Sequence, residues 1–467
     1  MSDTQTGSQI KADFTTGSIA KKLVSFMFPI LGALFLQAMY GAVDLLIVGH
    51  FGTEAGISAV SSGSSIVNLA VFVIAGLSMG ITVLLSRYIG ERKTSQISEV
   101  LGGTVAFYSV VAVILTILMV VFARPLAILM QAPEEAVDLT AQYVRICGAG
   151  IIFVIAYNVI SCIFRGIGNS VLPLIFVSIA CVVNIFGDLL LVAVFDMDVA
   201  GAAIATIAAQ AVSVILSLVI IRRAKTGLSL RKKDIRFNKE VRNFLKLGAP
   251  IALQELLTNL SFLALCAFIN RLGLEQSSGY GIACKITSFV MLIPSSLMQS
   301  TASFIGQNVG AGKELRAKKA MEYGMLIGAS IGVLVCLLTL FVPEFFCRIF
   351  SSNESYVAQG ADYLRGFAPE AIITCILFNF MGYFSGHGKT FFVMGQGLAQ
   401  TFLVRLPMSY IMSIQPNTTL TLIGYAAPSA TVFGILINFI YFMMFKRTIV
   451  MVDRPDPVTP SGESLKG

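Results

Sequence analysis

Residues 141–145 read AQYVR, and residues 361–365 read ADYLR. Further along, FRGIGNS at 164–170 faces FSGHGKT at 384–390, and upstream SRYIGERK at 86–93 faces GQNVGAGK at 306–313. All three pairs keep one offset (141 to 361, 164 to 384, 86 to 306), so the 467-residue chain is an internal duplication. Six apolar runs separate each segment from its copy. An even number of crossings leaves both halves in the same orientation, a parallel repeat about an axis along the membrane normal, with substrate sites between the halves.

The composition requires a membrane. Hydrophobic residues make up 56% and charged residues 12%, about half the charge of a soluble globular chain. Such a sequence cannot cover a soluble core of this size, which excludes a soluble enzyme, a disordered scaffold or a disulfide framework. The eight Cys lie in or beside apolar runs with no CxxC or Cys/His pairing, and read as small buried hydrophobes. A spanning helix needs about 20 mostly apolar residues. Twelve candidates fall near 20–48, 56–85, 101–123, 136–162, 171–194, 199–221, 243–269, 277–305, 320–342, 356–384, 391–413 and 420–445. Residues 1–18 are polar and lack a cleavage pattern, so the first run reads as a span. The Pro- and Ser-containing tail from Asp453 is expected to be disordered.

The domain plan follows: a segment at 1–18, an N-lobe of six spans at 19–221, a basic linker at 222–241, a C-lobe of six spans at 242–447, and a tail at 448–467. The net charge of +8 is concentrated in residues 220–246, where ten Lys/Arg meet only Asp234 and Glu240. With twelve spans, 26 of the 33 Lys/Arg fall on the side of the termini. The opposite loops carry acids such as Glu54, Glu134, Asp196 and Glu275. The positive-inside rule places both termini in the cytoplasm, and the basic excess reads as topology, not nucleic-acid binding.

No enzyme constellation is present. His50 and His387 fall in loops without HExxH, and Gly166-Ile167-Gly168 reads as a tight turn between the fourth and fifth spans. The informative residues are ionisable groups inside spans, which are costly there and read as functional. Asp44 lies about five residues before the loop that starts near Gly49, roughly 8 Å from the helix end. Asp188 lies about seven residues before Phe195, and Asn184 shares its helix face. Thr206 lies at similar depth in the sixth span. Two carboxylates, an amide oxygen and a hydroxyl form a hard-oxygen set that suits Na⁺, or a proton shared by close carboxylates. The alternative is that each acid only bonds a neighbouring helix.

At the offset set by the repeat, Val404 and Met408 replace Asn184 and Asp188, so the C-lobe lacks this set. Its acid is Glu255, in the middle of the seventh span. Glu255 either lines the substrate path and attracts cations, or neutralises Lys285 or Arg405. Gln37, Tyr40 and Asn158 join Glu255 and Lys285 as candidates for the substrate path. Prolines 29, 173, 250, 294 and 407 each permit a bend. The Phe- and Met-rich interior, with 34 and 18 of each, suits varied apolar ligands and cation–ring contacts.

Taken together, several stretches resemble the multidrug and toxic compound extrusion (MATE) transporters over about residues 15–450. They are PILGALFLQAMYGAVDLLIVGHFG (29–52), FRGIGNSVLPL (164–174), NIFGDLLL (184–191), GAAIAT (201–206), GAPIALQE (248–255), YGIACKITSFVMLIP (280–294) and IGQNVGAGK (305–313). The resemblance implies an all-α integral membrane protein: twelve transmembrane helices in two pseudo-twofold-related six-helix bundles around a central cleft. It implies export of organic cations driven by inward Na⁺ or H⁺, with no cofactor, from a monomer in the bacterial inner membrane. Asp44, Asn184, Asp188 and Thr206 match the family's N-lobe cation site, Pro29 its bending proline, and Glu255 an acid on the seventh span of some branches. One departure stands out. Branches with a C-lobe cation site carry an Asp early in the tenth span, and none lies around Thr374; Glu370 is nearby but reads as closer to the outer end. The competing function is a flippase for a lipid-linked precursor, which would want several basic residues in the cleft where this sequence offers chiefly Lys285 and Arg405.

Overall fold

The computed structural model describes residues 13–223, 232–416 and 418–452; the expected disordered tail from Asp453 and part of the basic linker lie outside them. Every regular element among these residues is helical. The first half runs α1 (Ile19–Phe51), α2 (Glu54–Gly90), α3 (Thr94–Val121), short α4 (Ala123–Leu129), α5 (Val137–Ala149), α6 (Ile151–Gly166), α7 (Val171–Asp188) with a π-helical turn at Leu189–Val194, and α8 (Asp198–Arg223). The second half repeats it: α9 (Lys239–Asn270), α10 (Leu274–Val290), α11 (Leu292–Gly310), α12 (Glu314–Phe341), short α13 (Pro343–Arg348), α14 (Glu354–Phe367), α15 (Glu370–Gly386), α16 (Thr390–Ala399) with a π-helical turn at Gln400–Arg405, α17 (Leu406–Ser413), α18 (Leu420–Gly424) and α19 (Ala426–Val452).

Nine helical runs among the described residues are long and apolar enough to cross a membrane, and two bent pairs bring the number to eleven. The run Thr390–Ser413, carried through its π turn, is the remaining element of the twelve. The bent pairs are symmetry mates: α5 meets α6 at 54° and α14 meets α15 at 48°. Pro369 sits at the second break, where a missing N–H costs nothing. At the first, a Cβ on Gly150 would collide with Ile207.

Backbone geometry repeats as well. Gly168 and Gly388 both close their turns with positive φ, at 86° and 73°. In the turns after α2 and α11, Arg92 takes φ 57° where its partner Gly312 takes 69°. The tight-turn reading of Gly166–Gly168 therefore holds. Apolar residues at helical spacing point outward on equivalent helices, Val113, Ile114, Ile117 and Val121 on α3 and Val333, Leu334, Leu337 and Phe341 on α12, where only lipid can cover them.

Two helices pass from one bundle to the other. Leu23, Phe26 and Ile30 at the start of α1 pack into a core with α11, α12 and α15. From Ala33 onward α1 packs with α6, α7 and α8. In mirror fashion Val241 and Phe244 of α9 sit in the first bundle's core, and Leu265 and Ile269 in the second's. Pro29 and Pro250 lie inside these two helices near the changeover. Pro173 falls in the first turn of α7, while Pro294 lies just past the α10–α11 junction and Pro407 just past the π turn, each inside a longer spanning run.

Glycine lets the bundles meet at the face that carries the N-terminus. Gly76 of α2 lies against Ala252 of α9, where a Cβ would come 2.5 Å from the Ala252 Cα. Gly80 meets Gly248, and Gly90 and Gly310 receive each other's helices across α2 and α11. Ser86 Oγ and Ser303 Oγ stand 3.0 Å apart on this seam, and they donate to the Gly166 and Arg165 carbonyls at 2.9 and 2.7 Å. A Cβ on Gly41 of α1 or Gly281 of α10 would meet nothing within 4 Å.

Residues 13–18, expected to be a polar lead-in, include a buried anchor. Phe14 is 1% exposed and packs its ring on Phe26 and Phe304, each at 4.9 Å between centroids. Its N–H donates to Gln307 Oε1 at 3.1 Å, and its carbonyl accepts from Asn308 and Arg316 at 3.2 and 2.9 Å. His50 lies in the last turn of α1, not in a loop, because the helix runs on to Phe51. His387 does lie in a turn, bonded to Glu314 at 3.0 Å.

Candidate cation site and its C-lobe counterpart

The oxygen set expected in the N-lobe is assembled where α1, α7 and α8 meet. Asp44 and Asp188 are 3% and 0% exposed and Asn184 is 0% exposed. Small residues permit the approach: a Cβ on Gly187 would lie 3.0 Å from Ala205 on α8. One amide nitrogen bridges both acids, Asn184 Nδ2 donating to Asp44 Oδ1 at 3.2 Å and to Asp188 Oδ2 at 3.1 Å. Thr206 Oγ1 donates to Asp44 Oδ2 at 3.0 Å. Asp188 ends α7 at the π turn, a feature frequent at functional sites.

Two acceptors in this cluster have no protein donor, Asn184 Oδ1 and Asp188 Oδ1. Buried oxygens left unmatched are expensive, and a proton or a small hard cation would satisfy them. No group of three or more His, Cys, Asp or Glu suited to a bound metal ion occurs among the described residues. The site is thus two carboxylates completed by neutral oxygens. Sequence reading missed one neighbour: Tyr143 of α5 lies within electrostatic reach of both acids and beside Cys147, and it fills the space that Gly63 leaves. A Gly on α2 facing a buried Tyr on α5 leaves no pattern in the sequence. All eight Cys are free thiols.

The other candidates are scattered. Tyr40 is buried and donates its hydroxyl to the Val177 carbonyl at 3.2 Å, so that group is used within the bundle. Asn158 bonds its own helix at Val154. Gln37 is half-buried on α1. Among the described residues Glu255 of α9 makes no ion pair with Lys285 or Arg405, the neutralisation left open by the sequence. Lys285 is exposed, with its Nζ 5.9 Å from the Phe350 ring centre. Glu370 lies one turn outward of Thr374, as the sequence order implies. It starts α15 at the mid-span break and is buried, accepting from Thr431 Oγ1 at 2.8 Å.

The constant offset also needs correction beyond α16. Pro173, Phe176, Val177 and Cys181 are buried, as are their counterparts Val393, Gln396, Gly397 and Thr401. The π turn Gln400–Arg405 then adds one residue, and buried Asp188 corresponds to buried Ser409, not to Met408. Arg405, the last residue of that turn, takes the place of Asn184.

The MatE family profile matches residues 29–190 and 250–411, two stretches of equal length, one in each half. The chain belongs to the MatE family, and so is a multi-pass membrane transporter and not an enzyme. It is 27% identical over 409 residues to the probable multidrug resistance protein YpnP of Bacillus subtilis (strain 168), covering 86% of this chain and 90% of that one. It is 24% identical over 415 residues to the multidrug export protein MepA of Staphylococcus aureus (strain bovine RF122 / ET3-1), covering 86% and 88%. Its fold matches a structure described as the outward-facing conformation of a multidrug resistance MATE family transporter, with a TM-score of 0.87 at 20% identity over 94% of this chain and 98% of the other.

Proposed function

We propose that the chain exports structurally diverse organic compounds, mostly cationic drugs and dyes, across the plasma membrane in exchange for Na⁺ or H⁺. Both termini face the cytoplasm in this reading, as the basic loops require. The observation that carries it is the pair of buried acids sharing one amide nitrogen, with two neighbouring oxygens unmatched. An ion or proton arriving there neutralises charge that the apolar interior resists.

The rest of the cycle follows from α1. It begins in the C-lobe core and ends at the cation site, with Pro29 near the changeover. Occupancy at Asp44 therefore acts on a helix that also belongs to the other bundle. Glycine contacts close the seam between α2 and α11 at the N-terminal face, and on that ground the conformation is read as outward-facing. Coupling requires that the ion bind the two conformations with different affinity. A flippase for a lipid-linked precursor is the weaker reading, since Lys285 and Arg405 are few positive charges for a pyrophosphate.

The test is transport in liposomes. Efflux of ethidium is followed under a Na⁺ gradient alone and then under a pH gradient alone. Asp44→Asn and Asp188→Asn are expected to abolish gradient-driven efflux while the protein still inserts. Normal efflux by either variant removes the ion-site assignment.

A further inference from the structure

The C-lobe positions that correspond to the cation site carry the opposite charge. Pro29 of α1 pairs with Pro250 of α9, and beyond the π turn the second half keeps that same register. Asp44, Asn184, Asp188 and Thr206 therefore correspond to Leu265, Arg405, Ser409 and Ala427. Both acids are gone, and a guanidinium stands where the bridging amide was.

Arg405 is held but not neutralised. Its guanidinium carbon lies 3.9 Å from the centre of the Phe262 ring, a stacking that leaves the N–H edges free for a ligand. No carboxylate comes within ion-pair distance of it among the described residues. Glu370, Tyr363 and Cys284 lie within its electrostatic reach, and Glu370 is turned to Thr431. Two hydroxyls of this region are buried without an oxygen or nitrogen partner: Ser409 Oγ, and Tyr280 OH, which has only the weakly bonding Cys284 thiol beside it. Tyr280 packs edge-on against Tyr363 at 4.9 Å between centroids, which fixes its ring.

A stacked guanidinium without an ion-pair partner and two hydroxyl donors without an oxygen acceptor share one chemistry, that of binding an acidic group. We propose that Arg405, with Ser409 and Tyr280, forms a pocket for the carboxylate of an amphiphilic aromatic substrate. This deepens the export reading and rests on it. It assigns the acidic end of a zwitterionic substrate to the C-lobe, and the positive end is left to the acids of the cleft.

The test compares two dyes that differ at one group. Rhodamine 110 carries a free carboxyl and rhodamine 123 is its methyl ester. Binding of each to the purified full-length protein is measured by fluorescence anisotropy. The wild type is expected to bind both. Loss of a charge-assisted bond in Arg405→Gln should weaken rhodamine 110 by about ten- to hundredfold and leave rhodamine 123 nearly unchanged. Arg405→Lys, which keeps the charge without the fork, should fall between.

Wild type that binds the ester and not the acid overturns this pocket and leaves the export reading standing; wild type that binds neither dye overturns both. Equal weakening of both dyes by Arg405→Gln, with recovery in Arg405→Gln/Glu370→Gln, would show that Arg405 only balances Glu370. Equal thermal stability of wild type and variants separates lost binding from lost folding.

Discussion

Adding a single methyl at Gly90 is predicted to shift the balance between the two ends of the transporter. A Cβ at Gly90 would overlap the Gln307 carbonyl oxygen and lie 2.9 Å from its carbon and 3.0 Å from the Ala311 nitrogen. These are backbone atoms of the other bundle and cannot rotate away. The carbonyl oxygen sets the requirement: restoring ordinary contact, near 3.4 Å, requires α2 and α11 to part by about an ångström or more. The Ser86–Ser303 contact one turn away, at 3.0 Å, would lengthen with it. Overpacking of this kind costs about 1–3 kcal/mol, and it falls only on the conformation in which the seam is closed. The ratio of seam-open to seam-closed molecules should therefore rise by roughly five- to 150-fold. Spin labels at Arg92 and Lys389, on loops of the two bundles at this face, report the change through double electron–electron resonance in a background without reactive cysteines. Gly90→Ala should add a longer-distance population. Gly395→Ala is the control, since a Cβ there meets nothing within 4 Å. An unchanged distance distribution in Gly90→Ala, with unchanged stability, would refute the close-packed seam.

Other expectations concern the N-terminal face. Phe14→Ala removes a fully buried ring that ties residues 13–18 to α11 and α12, and should lower stability by about 3–5 kcal/mol, read as a lower Tm. The Asp13 carboxyl is held below its ordinary value: partial burial pushes it up, but hydrogen bonds from Thr15 and Thr16 and the nearby Lys22 outweigh that. A depressed carboxylate stabilises above its unfolded value, about 3.9, and this contribution disappears as pH falls through the lower folded value. Asp13→Asn should thus lower Tm between pH 5 and 8, and the difference from wild type should vanish in strong acid. Arg92 holds a left-handed conformation that Gly312 holds in the repeat. Arg92→Gly should raise stability by about 1 kcal/mol, and a lower Tm would contradict that reading.

Much of this architecture is legible one residue at a time. Apolar runs, the internal repeat and the side on which Lys and Arg accumulate are properties of order along the chain. So is the isolation of Asp44 and Asp188 within apolar stretches, because a carboxylate in lipid-depth sequence is costly wherever the helix turns. Helix faces and crossings are a different matter. The bond from Asn184 to Asp44 joins two helices that the chain visits far apart. Burial of Phe14, in a segment that looks like a polar lead-in, depends on a cradle built in the other half of the chain. The place of Arg405 turned on one extra residue in a π turn. A single inserted residue rotates all that follows by about 100°, so a comparison at constant offset gave Val404 and Met408 where packing places Arg405 and Ser409. Sequence by itself determined which segments enter the membrane, that they come as two copies, and which buried charges need an explanation. Only the tertiary structure decided which of those charges meet, because side-chain direction on a helix is set by the angular sum of every residue before it and by the neighbours that the bundle supplies.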